Sequence, residues 1–94
     1  MKRTSLYSQQ HAVLVSYLRE LRVLRELTQA DVARAIGRPQ TYLSDVEKGK
    51  RGLDLLQVKE LCDAYGLPFP DFAKEFDKRL KKAGVKPAAK ASRS

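Results

Sequence analysis

The sequence predicts an all-α chain of five short helices, on three observations. Apolar residues recur at spacings of three and four through much of residues 8–82. Ser8, Thr28, Asp54 and Asp71 stand where helix N-caps belong, and Gly37, Gly66 and a set of prolines stand where helices stop. Residues 27–49 then read as two short helices joined by a sharp turn.

Residues 1–7 are polar apart from Leu6 and Tyr7 and are expected to fray as a flexible N-terminus. Ser8 caps a first helix that should run to about residue 26. Leu14, Leu18 and Leu21 give it a main apolar stripe, and Val13, Tyr17 and Leu24 a second, which suits either the C-terminal helix or another subunit. Thr28 caps the second helix, with Val32, Ala33 and Ile36 inward and Gly37 as the left-handed residue that ends it. Pro39 fits only at the start of the third helix, because it has no amide proton for a helix interior. Leu43 and Val46 face inward there, so Gln40, Thr41, Ser44, Asp45 and Lys48 share the opposite, polar face. Asp54 and Gln57 have capping-box spacing for the fourth helix, whose inward face is Leu55, Val58, Leu61, Cys62 and Tyr65. Gly66 ends it. Pro68 and Pro70 break the chain, and Asp71 can cap a fifth helix over about 70–82. Its stripe of Phe72, Phe76 and Leu80 either completes the core or, with Phe69, forms a two-fold dimer contact. The expected domain is therefore 8–82, followed by a disordered basic tail at 83–94.

A single cysteine permits no internal disulfide, and Cys62 reads as packing rather than chemistry. No apolar run is long enough to span a membrane and no signal peptide is evident, so the expectation is a cytoplasmic protein without a membrane partner. The net charge of +8 is unevenly spread. Residues 1–53 and 78–94 are basic, whereas 54–77 hold six acids against two bases. That asymmetry suits one face for a polyanion and another kept away from it. The basic tail by itself is more simply a solvated charge run.

The motif region resembles the helix-turn-helix of lambda-type phage repressors and the wider Xre family of bacterial regulators. The elements that carry the resemblance are Arg22, Leu27-Thr28-Gln29, Ala33, Gly37 and Glu47-Lys48-Gly49-Lys50, within residues 14–67. It implies a compact lambda-repressor-like domain that lays its third helix in the DNA major groove. Gln40, Thr41, Ser44 and Asp45 would then contact bases. Gln pairs with adenine, the Thr methyl with the thymine methyl, and Asp accepts from the cytosine amino group. Asp45 departs from the family, which often carries a base or Gln there. Thr28, Gln29, Arg38, Tyr42, Lys48, Lys50 and Arg51 would contact phosphate, Gln29 from the positive end of a helix. The resemblance also pairs Arg22 with Glu47 as a partly buried ion pair.

An enzyme is not expected. His11 and Cys62 lie on different helices, no metal-ligand spacing or phosphate loop is present, and no cofactor is implied. The favoured reading is a sequence-specific regulator of double-stranded DNA, most simply a homodimeric repressor on a palindrome. With no room for a ligand-sensing domain in this sequence, regulation would come from concentration or a partner. Two alternatives stay open. One is an antitoxin that represses its own operon and binds a toxin or another protein partner, and the other is an RNA-binding or bridging role on the same fold.

Overall fold

Five helices account for residues 9–82 of the computed structural model, which describes residues 8–87 and 89–91. They are α1 (Gln9–Leu24), α2 (Gln29–Ile36), α3 (Gln40–Glu47), α4 (Leu55–Tyr65) and α5 (Phe69–Lys82). No strand occurs among the described residues. The flexible segment expected at 1–7 lies outside them, as do residues 88 and 92–94 of the tail; the described tail residues after Gly84 carry no helix.

Local sequence explains most of the boundaries. Ser8 accepts the His11 amide and starts α1. Thr28 with Asp31, and Asp54 with Gln57, form reciprocal capping boxes at α2 and α4. All five helices end alike, in a left-handed residue followed by an amide that donates back five residues. Gly37 does this for α2, at φ 69°, with the Arg38 amide on the Ala33 carbonyl.

The α1 terminus is the exception in sequence, and it corrects the expected boundary. The helix stops at Leu24 because Glu26, not a glycine, takes the left-handed conformation at φ 58°. Two interactions hold that turn. The Leu27 amide donates to the Arg22 carbonyl at 3.1 Å, and the Arg22 guanidinium donates to the Leu27 carbonyl at 2.7 Å.

The core is one cluster to which every helix contributes. Leu18, Val32, Leu43, Val46, Leu61 and Cys62 are fully buried at its centre. Cys62 packs as expected, and burial pushes its thiol up to about 11. Helix α1 contacts α3, α4 and α5, and α2 contacts α3 and α4, so α3 is held from both sides.

Two expected inward residues face water instead. Leu55 is 67% exposed, because Leu53, two residues earlier, packs on the core in its place. Leu24, in the second stripe of α1, is 65% exposed past the point where the helix unwinds. Tyr17 of that stripe is buried and stacks on Phe72 at 5.0 Å between centroids. The second stripe therefore meets α5 of the same chain.

Helix α5 begins at Phe69, two residues before its expected cap. Pro68 occupies the cap position, Pro70 fits the first turn, and Asp71 lies in that turn where the helix dipole favours an acid. Phe72 is 2% exposed, with Phe69 and Phe76 stacked beside it at 6.4 and 6.1 Å. Of the two alternatives for this stripe, Phe72 takes the first and completes the core, while Phe69, Phe76 and Leu80 stay part-buried. Arg79 fastens this helix to α1. It donates to both Glu20 oxygens and to Glu75, and lies 4.2 Å from the Tyr17 ring centroid. Those acids raise its pKa, and the same contact lowers that of Glu20.

Candidate nucleic-acid interface

Helix α3 is divided lengthwise. Tyr42, Leu43 and Val46 are buried, which pins its inner face. Gln40, Thr41 and Lys48 are exposed and Ser44 and Asp45 are half-buried, all directed away from the core. This is the polar edge that the sequence predicts. It begins at Pro39, whose φ of −65° and ψ of 152° set the angle at which the chain enters the helix. It ends at Gly49, where the Lys50 amide returns to the Asp45 carbonyl at 2.9 Å. The Asp45 carboxylate makes no ion pair among the described residues.

Glu47 fixes the edge to the rest of the molecule. Its side chain is 4% exposed and receives Arg22 in a forked ion pair, at 2.6 and 3.0 Å. The contact raises the Arg22 pKa, chiefly through the hydrogen bond to the carboxylate. Arg19 approaches the same carboxylate at 3.9 Å from an exposed position. Gln29 joins them, donating its amide to Glu47 at 3.0 Å. The Gln29 carbonyl oxygen in turn lies 3.5 Å from the Gln40 amide, at the limit of hydrogen-bonding reach. Gln29, at the start of α2, thus touches both ends of α3. The Thr28 hydroxyl oxygen accepts the Asp31 amide at 3.0 Å, and hydrogen bonds from Thr28 lower the pKa of the Asp31 carboxyl.

Cations border the polar edge on two sides. Lys48, Lys50 and Arg51 are exposed after α3. Arg38, in the turn before it, is half-committed: its Nε donates to Glu60 at 2.9 Å. Glu60 has no signal in the sequence, since it lies on α4 and 22 residues away. Tyr42 departs from the expected phosphate contact. Its ring is 5% exposed, its hydroxyl is covered, and the Arg38 and Arg51 guanidiniums lie 4.7 and 4.6 Å from its centroid. Burial raises the pKa of that covered phenol.

Chemically, the arrangement offers short hydrogen-bonding side chains on a rigid rod, with positive charge to either side. That suits a polyanion whose informative groups lie in a groove between its charges. Among the described residues no cluster of His, Cys, Asp and Glu could hold a metal ion, and no helix is long and apolar enough to cross a membrane.

Comparison with known proteins gives the same outline. Residues 13–73 match the family model of the helix-turn-helix domain. The chain is similar to the cryptic phage CTXphi transcriptional repressor RstR of Vibrio cholerae, 38% identical over 71 residues. That match takes in 70% of this chain and 63% of the repressor, so the chain spans under two thirds of its relative's length. Its fold is similar to the wild-type restriction-modification controller protein C.Esp1396I, with a TM-score of 0.74 at 19% identity, over 79% of this chain and 97% of that one. The tetramer of the same controller in complex with its natural 35 base-pair operator gives 0.73 at 19% identity, with the same shares covered.

Proposed function

The chain belongs to the helix-turn-helix family, and on that premise we propose that it is a sequence-specific, double-stranded DNA-binding transcriptional regulator acting as a dimeric repressor. The observation that carries this reading is the lengthwise division of α3. A helix with one face locked in the core and a polar face bordered by cations can enter the major groove only in one orientation. Gln40, Thr41, Ser44 and Asp45 then meet base edges. Thr28, Gln29, Lys48, Lys50, Arg38 and Arg51 meet the backbone, where they fix register without reading sequence. Asp45 carries no neutralising partner, so it is tolerated beside phosphates only where a cytosine amino group faces it. That makes it a discriminating position.

Repression rather than activation is supported by the similarity to a phage transcriptional repressor. Dimerisation is supported by scale. A single module of this kind buries ~600–1,000 Å² on DNA, and two half-sites ~34 Å apart give a usable affinity. The role is one of binding without catalysis, in the cytoplasm, with regulation through concentration or a partner. An antitoxin role on the same fold would need an exposed apolar face for the toxin, and the burial of Phe72 removes the aromatic at the centre of the α5 stripe from such a face.

Selection of bound duplexes from a random library at near-physiological salt tests the reading. Enrichment of a two-fold symmetric site is expected. Binding that falls steeply with salt and enriches no sequence would leave only nonspecific attraction to phosphate, and the proposal would fail.

A further inference from the structure

We propose that Tyr42 is a positioning residue, a buried ring that holds the Arg38 and Arg51 guanidiniums together as a preformed clamp for DNA phosphate. Arg38 lies in the turn before α3 and Arg51 in the loop after it, so nothing in the local chain brings them together. What they share is the ring, with guanidinium carbons 4.7 and 4.6 Å from its centroid. At these distances each cation is attracted by the ring's electron-rich face.

The two charges are then less than ~10 Å apart, within a Debye length at ordinary salt, and they repel each other. Glu60 offsets Arg38 alone, through the 2.9 Å contact. Arg51 is exposed and has no acidic partner among the described residues. One uncompensated positive charge is therefore held at the border of the polar edge of α3. An anion placed there relieves the repulsion, and a guanidinium already held in place gives up little side-chain freedom on binding it. Planar, fork-like donors suit a phosphate better than point charges do.

The phenol itself takes no part. Tyr42 is 5% exposed and its hydroxyl has no hydrogen-bond partner, so a plain hydrophobe would fill the core without covering an unpaired polar atom. What distinguishes Tyr42 from an ordinary core residue is an aromatic face with a cation bound to it on behalf of each flanking turn.

This inference rests on the DNA reading, and its test separates the two. Binding to the selected duplex is measured for wild type, Tyr42→Phe, Tyr42→Leu and Arg51→Lys across ~50 to ~200 mM salt. Tyr42→Phe keeps the ring and should bind within about twofold of wild type. Tyr42→Leu should bind about tenfold more weakly, with the salt dependence reduced by about one phosphate contact. Arg51→Lys keeps the charge and the core intact yet should bind several-fold more weakly. In the free protein, the side-chain δ protons of both arginines should show upfield ring-current shifts in wild type and Tyr42→Phe. They should lose them in Tyr42→Leu.

The clamp is wrong if Tyr42→Phe loses as much affinity as Tyr42→Leu, if Tyr42→Leu binds like wild type, or if the ring-current shifts are absent. A normal affinity for Arg51→Lys also overturns it, and that variant decides the matter even where Tyr42→Leu does not fold. If wild type selects no duplex, the DNA reading fails first, and the ring-current shifts still report whether the ring holds the arginines.

Discussion

Glu47 shows how a single side chain can belong to folding while sitting beside the reading face. Its carboxylate is 4% exposed and receives Arg22 and Gln29, which ties α1 and the start of α2 to the last residue of α3. Glu47→Ala leaves the buried Arg22 guanidinium without its partner, a loss that typically costs ~3–5 kcal/mol. Denaturant unfolding should show that loss, with DNA binding weakened only in proportion to the unfolded fraction. Unchanged stability with collapsed binding would make Glu47 a contact instead. The Arg22–Glu47 pairing was available from the motif resemblance, because its two members sit at fixed places in the pattern. Gln29 as the third member was not, since an amide side chain in a first helical turn suits several partners. The burial of Tyr42 was legible from spacing alone. Tyr42 lies four residues before Val46, so helical spacing already places it inward, and reading it as a backbone contact weights its polar tip over its position.

At the scale of the helices, legibility followed the strength of the local signal. Four of the five helices end on a glycine in the left-handed region, and the ends of α2 and α4 fall where Gly37 and Gly66 put them. The α1 terminus was placed two residues late because Glu26 does the same work with no glycine, held by the Arg22–Leu27 carbonyl bond. That bond is made by a side chain reaching five residues ahead and leaves no mark on periodicity. A left-handed conformation at a non-glycine residue costs ~1–2 kcal/mol, partly offset by glycine's greater freedom when unfolded. Glu26→Gly should therefore stabilise the protein by ~1 kcal/mol in thermal unfolding. A destabilised variant would show that the Glu26 side chain contributes to the turn. The aromatic stripe of α5 divides more sharply than its spacing suggests. Phe72→Ala should cost ~3–5 kcal/mol, as truncation of a buried aromatic does. The cost should be the same at every protein concentration, since Phe72 stacks on Tyr17 within the chain. A concentration-dependent loss would place Phe72 in an interface.

Across the whole molecule, acids and bases are unevenly spread along the chain. Arg38 in the turn before α3 and Lys48, Lys50 and Arg51 after it flank the polar edge of that helix, while most acids of 54–77 lie on α4 and α5. The fold class, the helix order and the face that α3 presents were all legible, because each follows from spacing and caps. The exposed apolar positions were not. Val23, Leu24, Leu55 and Leu56 stand out of the core, Leu56 by 77%, and no periodicity marks a residue that the end of a neighbouring element fails to cover. If the outward face of α3 reads bases, a substitution at Gln40 in its first turn is where that reading shows. Selection from a random duplex library should be run in parallel with wild type and Gln40→Ala. If α3 lies in the major groove, the variant keeps its fold and the symmetric site, and preference relaxes at one position in each half-site. A selected site identical in both proteins would mean that α3 does not read sequence through its first turn.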